Sequence, residues 1–418
     1  MHRIVAGGDN CVIGELNDII GSVRQALDSE AVIELTRQLV IVPSHTVEGE
    51  IEAAGVLERF LLAAGIETRR QEVADIGVNV LASLPGDHQK EGLLFNGHLD
   101  TVPPSSAMTH PPFAAVIEGG CMWGRGTADM KAGLAAMACA LAAVRAANVP
   151  LRRPLTLAAV ASEERGNLGT AALIAAGIQA AWAVIGEATG FDLVTAHKGV
   201  DRYRVSVEGR AAHESMPERG VNAIIDAAHI ISSLHNDLWP RAAKVTHPRL
   251  GCATYNIGTI QGGTSRNTIP DRCVFQLSKR WLPGDTPDAI QSEIEAAIAR
   301  ARPIGRVVVS REPEFDRIPH PPLDIPSDHP LVVVLSDCIR SVLGRPPALL
   351  SWGAFTDGAL LQHAGIATTI CGPGDVSLAH ADNEHIPLAD IVRASEVYAV
   401  MAAVTCGAHG LHNVSMSR

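Results

Sequence analysis

Helical and strand periodicities alternate along this chain. Apolar residues three and four apart predict amphipathic helices over 31–40 and 51–64, and β-branched runs predict strands over 78–84 and 92–96. A long Ala-rich helix follows over 128–147, then a buried strand over 155–161, a helix through 171–176 and a strand over 182–186. Such alternation predicts an α/β unit built on a mostly parallel sheet with helices on both faces. The pattern changes near Lys198, where 200–208 alternates polar and apolar as a strand with one wet face does. A helix over 221–238, strands over 254–260 and 273–282, a helix over 288–301 and a strand over 307–310 predict a two-layer α+β insert. Beyond the Pro-rich stretch 319–330, helices over 331–343 and 388–404 restore the first texture. The expected division is one α/β domain from 1–196 and 314–418, interrupted by an α+β domain at 197–313.

Composition narrows the classes of function. With 47% hydrophobic and 19% charged residues, the 418-residue chain has ample apolar material for a core, which excludes disorder as its main state. Asp and Glu outnumber Lys and Arg by 45 to 34, a net charge of −11 with no basic stripe. That balance argues against nucleic acid and anionic membrane as partners. The charge-free stretch 132–144 is too short to span a bilayer. The opening residues Met1 to Asp9 lack the pattern of a secretory signal. Eight cysteines are scattered without a Cys-x-x-Cys pair, so neither a disulfide framework nor a thiolate zinc site is expected. A cytoplasmic location is the expectation.

Candidate chemistry sits where predicted strands end. In Leu94-Phe95-Asn96-Gly97-His98-Leu99-Asp100 an apolar strand delivers His98 and Asp100 two residues apart, hence on one face. That suits a metal-bound imidazole whose other nitrogen is held by a carboxylate, although a capped strand end with a solvated Asp reads equally well. Trp123-Gly124-Arg125-Gly126-Thr127-Ala128-Asp129-Met130-Lys131 places Asp129 at a helix start, where it either caps the helix or bridges two cations. Ser162-Glu163-Glu164-Arg165-Gly166 follows a buried strand, and carboxylates there are costly unless hydrated, paired or bound to a cation. Gly186-Glu187 repeats the theme, and Leu378-Ala379-His380-Ala381-Asp382-Asn383-Glu384-His385 adds a late imidazole-rich segment. Parallel strands align their carboxyl ends along one edge, the usual ligand crevice of an open α/β sheet. Five such motifs converging there point to a metal centre, and imidazole with carboxylate but no thiolate suits zinc, with manganese or cobalt as substitutes.

In this order the motifs resemble those of the co-catalytic zinc amidohydrolases, the family of acetylornithine deacetylase, succinyl-diaminopimelate desuccinylase, aminoacylase and carboxypeptidase G. The resemblance runs from about Ala31 to Ala403. It implies a zinc-exopeptidase-like catalytic domain carrying an inserted dimerisation (lid) domain, two zinc ions, and hydrolysis of the amide of an N-acyl amino acid. On that pattern His98 and Glu187 would hold one ion, Glu164 and His380 the other, and Asp129 would bridge both. Asp100 would orient His98, and Glu163 would be the general base. His380 is preferred to His385 because Ala379-His380 through Glu384 matches the family's Ala-His-x-x-x-Glu.

The insert resembles the family's too. Gly209-Arg210-Ala211-Ala212-His213-Glu214-Ser215 looks like the dimerisation motif, whose His reaches the partner subunit's site in a homodimer. Asn267 is a candidate polar contact to substrate, and Arg280 a candidate clamp for a substrate carboxylate. One departure is Gly353-Ala354-Phe355-Thr356-Asp357-Gly358, where desuccinylases tend to read Gly-Gly-Thr-Ser-Asp-Gly. Phe355 and Trp352 would make that pocket wall more apolar, against diaminopimelate desuccinylation, and Gly353 and Phe355 are candidate substrate contacts there. The expected partner is a small N-acyl amino acid or short peptide. A dipeptidase or carboxypeptidase on the same scaffold is the alternative within chemistry, and a catalytically silent metal-binding scaffold the alternative outside it.

Overall fold

The computed structural model describes residues 10–87 and 91–407, so the reading of Met1 to Asp9 lies outside the described residues. The chain divides into two compact units. The first comprises residues up to Thr195, Ile325–Leu350 and residues from Thr356 onward; the second comprises Ala196–Asp324 with Ser351–Phe355.

The first unit is built on a mixed sheet. Strand order runs Thr68–Val73, Gly77–Leu84, Leu155–Val160, Leu93–His98, Trp182–Ile185, Ala367–Ile370, Leu193–His197. The four strands from Leu155–Val160 to Ala367–Ile370 are mutually parallel, while the outer ones join antiparallel. The expected parallel sheet is therefore its centre. All six positions of Leu93–His98 are buried, so both sheet faces are covered, and the strand reads as a continuous apolar run rather than an alternation. Helices Ala132–Ala146 and Leu388–Cys406 pack on each other, as do Leu168–Ala175 and Asp357–His363.

The Ala-rich helix differs from expectation at its start. Thr127–Lys131 forms a separate wide turn in which Asp129 has non-helical dihedrals, and the regular helix begins at Ala132. Together they are long and apolar enough to cross a membrane, but the segment is core, with 89% of it buried. Small residues let it approach the sheet. A side chain at Gly133 would lie 2.1 Å from the Gly186 carbonyl oxygen, so glycine there seats the helix against the strand end that carries Glu187.

In the second unit, Thr254–Gly262, Arg272–Trp281, Gly199–Glu208 and Arg306–Arg311 form a four-stranded antiparallel sheet in that order. Tyr203, Val205, Val207, Phe275 and Leu277 point to one face and are buried under helices Ala223–Ser233 and Pro287–Ala301. The polar alternation in 200–208 is the other face. The unit extends past the expected boundary at 313 because Leu323–Asp324 pairs with Ala196 and His197.

Candidate active site

Every presumed metal ligand lies in the first unit. His98 is the last residue of its strand. The next strand ends at Val160, and Ser162 then turns the chain with φ +60°, presenting Glu163 and Glu164. Glu187 follows Gly186 at the end of Trp182–Ile185. Asp129 arrives from the Thr127–Lys131 turn, and the residue at the N-cap of the helix that follows is Lys131, not Asp129. The capping account of Asp129 is thus replaced by a tertiary one. Its Oδ1 lies 3.0 Å from His98 Nε2 and its Oδ2 lies 3.1 Å from His380 Nε2.

Two clusters result. His98 Nε2 faces Asp129 and Glu187 Oε1, the latter at 3.6 Å, and His380 Nε2 faces Asp129 and Glu164 Oε1, the latter at 2.8 Å. Within each cluster the donor atoms lie within 4.8 Å of one another, and Asp129 belongs to both. His385 does not join them; its ring stacks on Trp123 with centroids 4.2 Å apart.

The donor chemistry fits cations. His98 Nδ1 donates to the Asp100 carbonyl oxygen at 2.9 Å, which leaves Nε2 as the nitrogen facing Asp129 and Glu187. A neutral imidazole lone pair and two carboxylates then converge on one point, an arrangement that requires positive charge between them. The pKa shifts express the same demand. Burial opposes a charged His98, yet hydrogen bonds to Asp100 and Asp129 raise its pKa well above the usual range. The Asp129 and Glu164 carboxylates push His380 up to about 10. Burial pushes Glu187 well above the ordinary carboxylate range, with Asp129 adding to it. A divalent ion would take the place of those protons.

The flanking carboxylates are held by named donors. Asp100 is fully buried; its Oδ1 accepts from the Glu163 N–H at 2.9 Å and its Oδ2 from the Glu164 N–H at 3.1 Å. Its carboxylate stands 3.5 Å from His98 Nδ1, so it orients the imidazole chiefly through its own backbone carbonyl. Glu163 has no place in either cluster. Its Oε1 accepts from Asn167 Nδ2 at 3.0 Å, and the same amide donates to Asp357 Oδ1 at 2.9 Å. Burial raises Glu163 well above the carboxylate range and pushes Asp357 up to about 6. Lys131 is buried, donating to the carbonyls of Leu39 and Val42 at 2.7 and 2.9 Å, and burial pulls it down to about 7. Asn167 and Lys131 carried no assigned role in the sequence reading.

The remaining candidates lie in the second unit. His213 is exposed on a short ladder opposite Thr268, close to Asn267, whose carbonyl accepts from the Glu214 N–H. The Ser215 N–H donates to His213 Nδ1 at 3.2 Å and the Ser215 hydroxyl lies 2.8 Å away, which leaves the ring proton on Nε2. Arg280 sits half-buried opposite Val200, and burial followed by repulsion from Arg202 lowers its pKa. Phe355 packs against His197 and His320 with centroids 5.4 and 4.6 Å apart, and Gly353 is exposed.

Two imidazole–carboxylate clusters sharing one aspartate, with Glu163 beside them, are candidate metal-ligand sets of the kind a metal-dependent hydrolase uses. Residues 94–403 match the peptidase family M20/M25/M40, and the chain belongs to that family. It is 32% identical to the acetylornithine deacetylase of Proteus mirabilis, over 86% of this chain and 92% of the relative. Among solved structures, an aminopeptidase from Bacillus cereus superposes with a TM-score of 0.75 at 24% identity, covering 90% of this chain and 99% of its own. A dinuclear metal-binding peptidase of the M20 family from Bacillus subtilis gives 0.66 at 18% identity, covering 90% and 98%. The protein is a metal-dependent amide hydrolase.

Proposed function

We propose that the protein cleaves the amide of an N-acyl amino acid, releasing the free amino acid and a carboxylic acid, with two zinc ions at the paired clusters. The observation that carries this is Glu163, a half-buried carboxylate beside both clusters with no place in either. Similarity to proteins named acetylornithine deacetylase supports an acetyl group on the substrate. His98, Asp129 and Glu187 would hold one ion, and Asp129, Glu164 and His380 the other. When bound, such ions supply Lewis acidity that polarises the amide carbonyl and acidifies water. Glu163 takes the proton of the attacking water and returns it to the departing amine nitrogen, serving as base and then acid. Asn167 fixes the Glu163 carboxylate through its Oε1, and Asp100 fixes its backbone. His213, with its proton on Nε2, is a donor suited to the developing oxyanion, reaching the partner subunit's centre in a homodimer. Arg280 clamps the substrate carboxylate, with Asn267 as a polar contact and Phe355 as an apolar wall.

A panel of N-acetyl, N-succinyl and N-formyl amino acids and dipeptides, each as free acid and as amide, tests the reading with zinc, cobalt or manganese added. Fastest turnover of an N-acyl amino acid, lost when its carboxylate is amidated, is expected. Preference for dipeptides would assign a dipeptidase instead, and indifference to amidation would remove Arg280 from recognition.

A further inference from the structure

Two metal ligands are anchored very differently. The His98 side chain is only 1% exposed, so packing fixes its imidazole. The His380 side chain is 52% exposed and its residue holds a left-handed φ of +62°. Such a conformation costs free energy in a non-glycine residue and persists only where the surroundings impose it.

Beside it lies a buried ion pair. Arg125 Nη1 lies 2.6 Å from Glu384 Oε2, with the two side chains 2% and 0% exposed. The same guanidinium reaches the backbone on the other side, Nη2 to the His380 carbonyl and Nη1 to the Ala381 carbonyl, both at 3.4 Å. The second oxygen of Glu384 accepts from the Ala128 and Asp129 N–H groups at 3.0 and 3.1 Å. Its backbone carbonyl also accepts from the Gly124 N–H at 3.1 Å. Glu384 thus holds the backbone of the shared aspartate, and Arg125 holds the backbone of the exposed histidine.

We infer that Arg125 and Glu384 are positioning residues that set the affinity of the second cation position, formed by Asp129, Glu164 and His380, more strongly than that of the first, with which it shares Asp129. The inference rests on the two-cation reading above. The first position keeps His98 and Glu187, each fixed at the end of its own central strand, when the pair is broken. The second loses the contacts that hold His380 in its left-handed conformation. Groups behind metal ligands commonly change metal affinity by about 10–100-fold.

The test is a zinc titration of the metal-free, full-length protein by calorimetry and chelator competition, with no activity measurement needed. Glu384→Gln removes the ion pair while keeping an oxygen for the Ala128 and Asp129 N–H groups. Arg125→Lys keeps the charge but loses the fork's reach to His380 and Ala381, and it serves if the first variant does not fold. Each should weaken one zinc equivalent by about 10–100-fold and the other by much less. His380→Ala and Glu187→Ala identify which equivalent is which, and Asp390→Asn, breaking an exposed ion pair with Arg393, should change neither. Equal weakening of both equivalents, or wild-type affinity for both while His380→Ala loses one, overturns the inference. Retention of both equivalents by His380→Ala overturns the metal assignment itself, and this inference with it.

Discussion

Glu163→Gln separates the proton-transfer role from every structural role at this centre. The substitution preserves shape, and the glutamine carbonyl can still accept from Asn167, as Glu163 Oε1 does at 3.0 Å. The Glu163 N–H remains with Asp100. Electrostatically the change is tolerated, because burial, Asp357, Glu187 and Glu164 together oppose a charge at Glu163 more than His98 favours it. Fold stability and metal content should therefore be unchanged or slightly higher. What disappears is the half-buried carboxylate beside the clusters to which the proton transfer is assigned. General acid–base help is worth roughly 10²–10⁴-fold. At 1.36 kcal/mol per decade that is about 2.7–5.4 kcal/mol of transition-state stabilisation. The assay is steady-state turnover of the best panel substrate, beside elemental analysis and thermal melting of the same preparation. A fall in kcat of that size with KM little changed is expected. Wild-type turnover would remove Glu163 from the chemistry, and loss of one metal equivalent would show that Glu163 and Glu164 have exchanged roles.

Asp100→Asn should destabilise the first unit, since its amide cannot accept from both the Glu163 and Glu164 N–H groups. One hydrogen bond to a charged group lost is worth about 1.5–3 kcal/mol, read by urea unfolding; unchanged stability would show that the turn is held elsewhere. For the shared-site dimer, inactive His213→Ala and Glu163→Ala proteins should regain activity when mixed and allowed to exchange subunits. Random pairing caps recovery at about a quarter of wild-type sites, and verified heterodimers that stay inactive would confine His213 to its own subunit.

Much of this centre is legible because the fold makes ligands local. A residue that must stand at the edge of a parallel sheet follows directly on an apolar strand, so His98, Glu163, Glu164 and Glu187 each carry a short signature beside them. The long strands and amphipathic helices are legible for the same reason. Short elements are not. Ala367–Ile370 is four residues of Ala, Thr, Thr and Ile, and only its pairing between Trp182–Ile185 and Leu193–His197 makes it a strand. The supporting groups are hidden by distance. Asn167 meets Asp357 across 190 residues and Arg125 meets Glu384 across 259, and residues of these types serve equally well on any surface. Asp129 is the intermediate case. Its position before a helix is what a capping residue would show, and only the arrival of two imidazoles from elsewhere separates the roles.

Asp100 shows how a local rule reaches its limit. Residues two apart share a face only while the strand continues, and this strand stops at His98. Past that point the chain turns, so the backbone carbonyl of Asp100 comes closer to His98 Nδ1 than its carboxylate does, 2.9 against 3.5 Å. The carboxylate is thereby released toward the neighbouring strand end, where two N–H groups at the Glu163–Glu164 turn would otherwise lack partners. A buried carboxylate is favourable only when such donors surround it. One aspartate consequently fixes the tautomer of His98 on one strand and the backbones of Glu163 and Glu164 on the next. The period-two reading could place Asp100 at the site, but its task was set by where the strand ends.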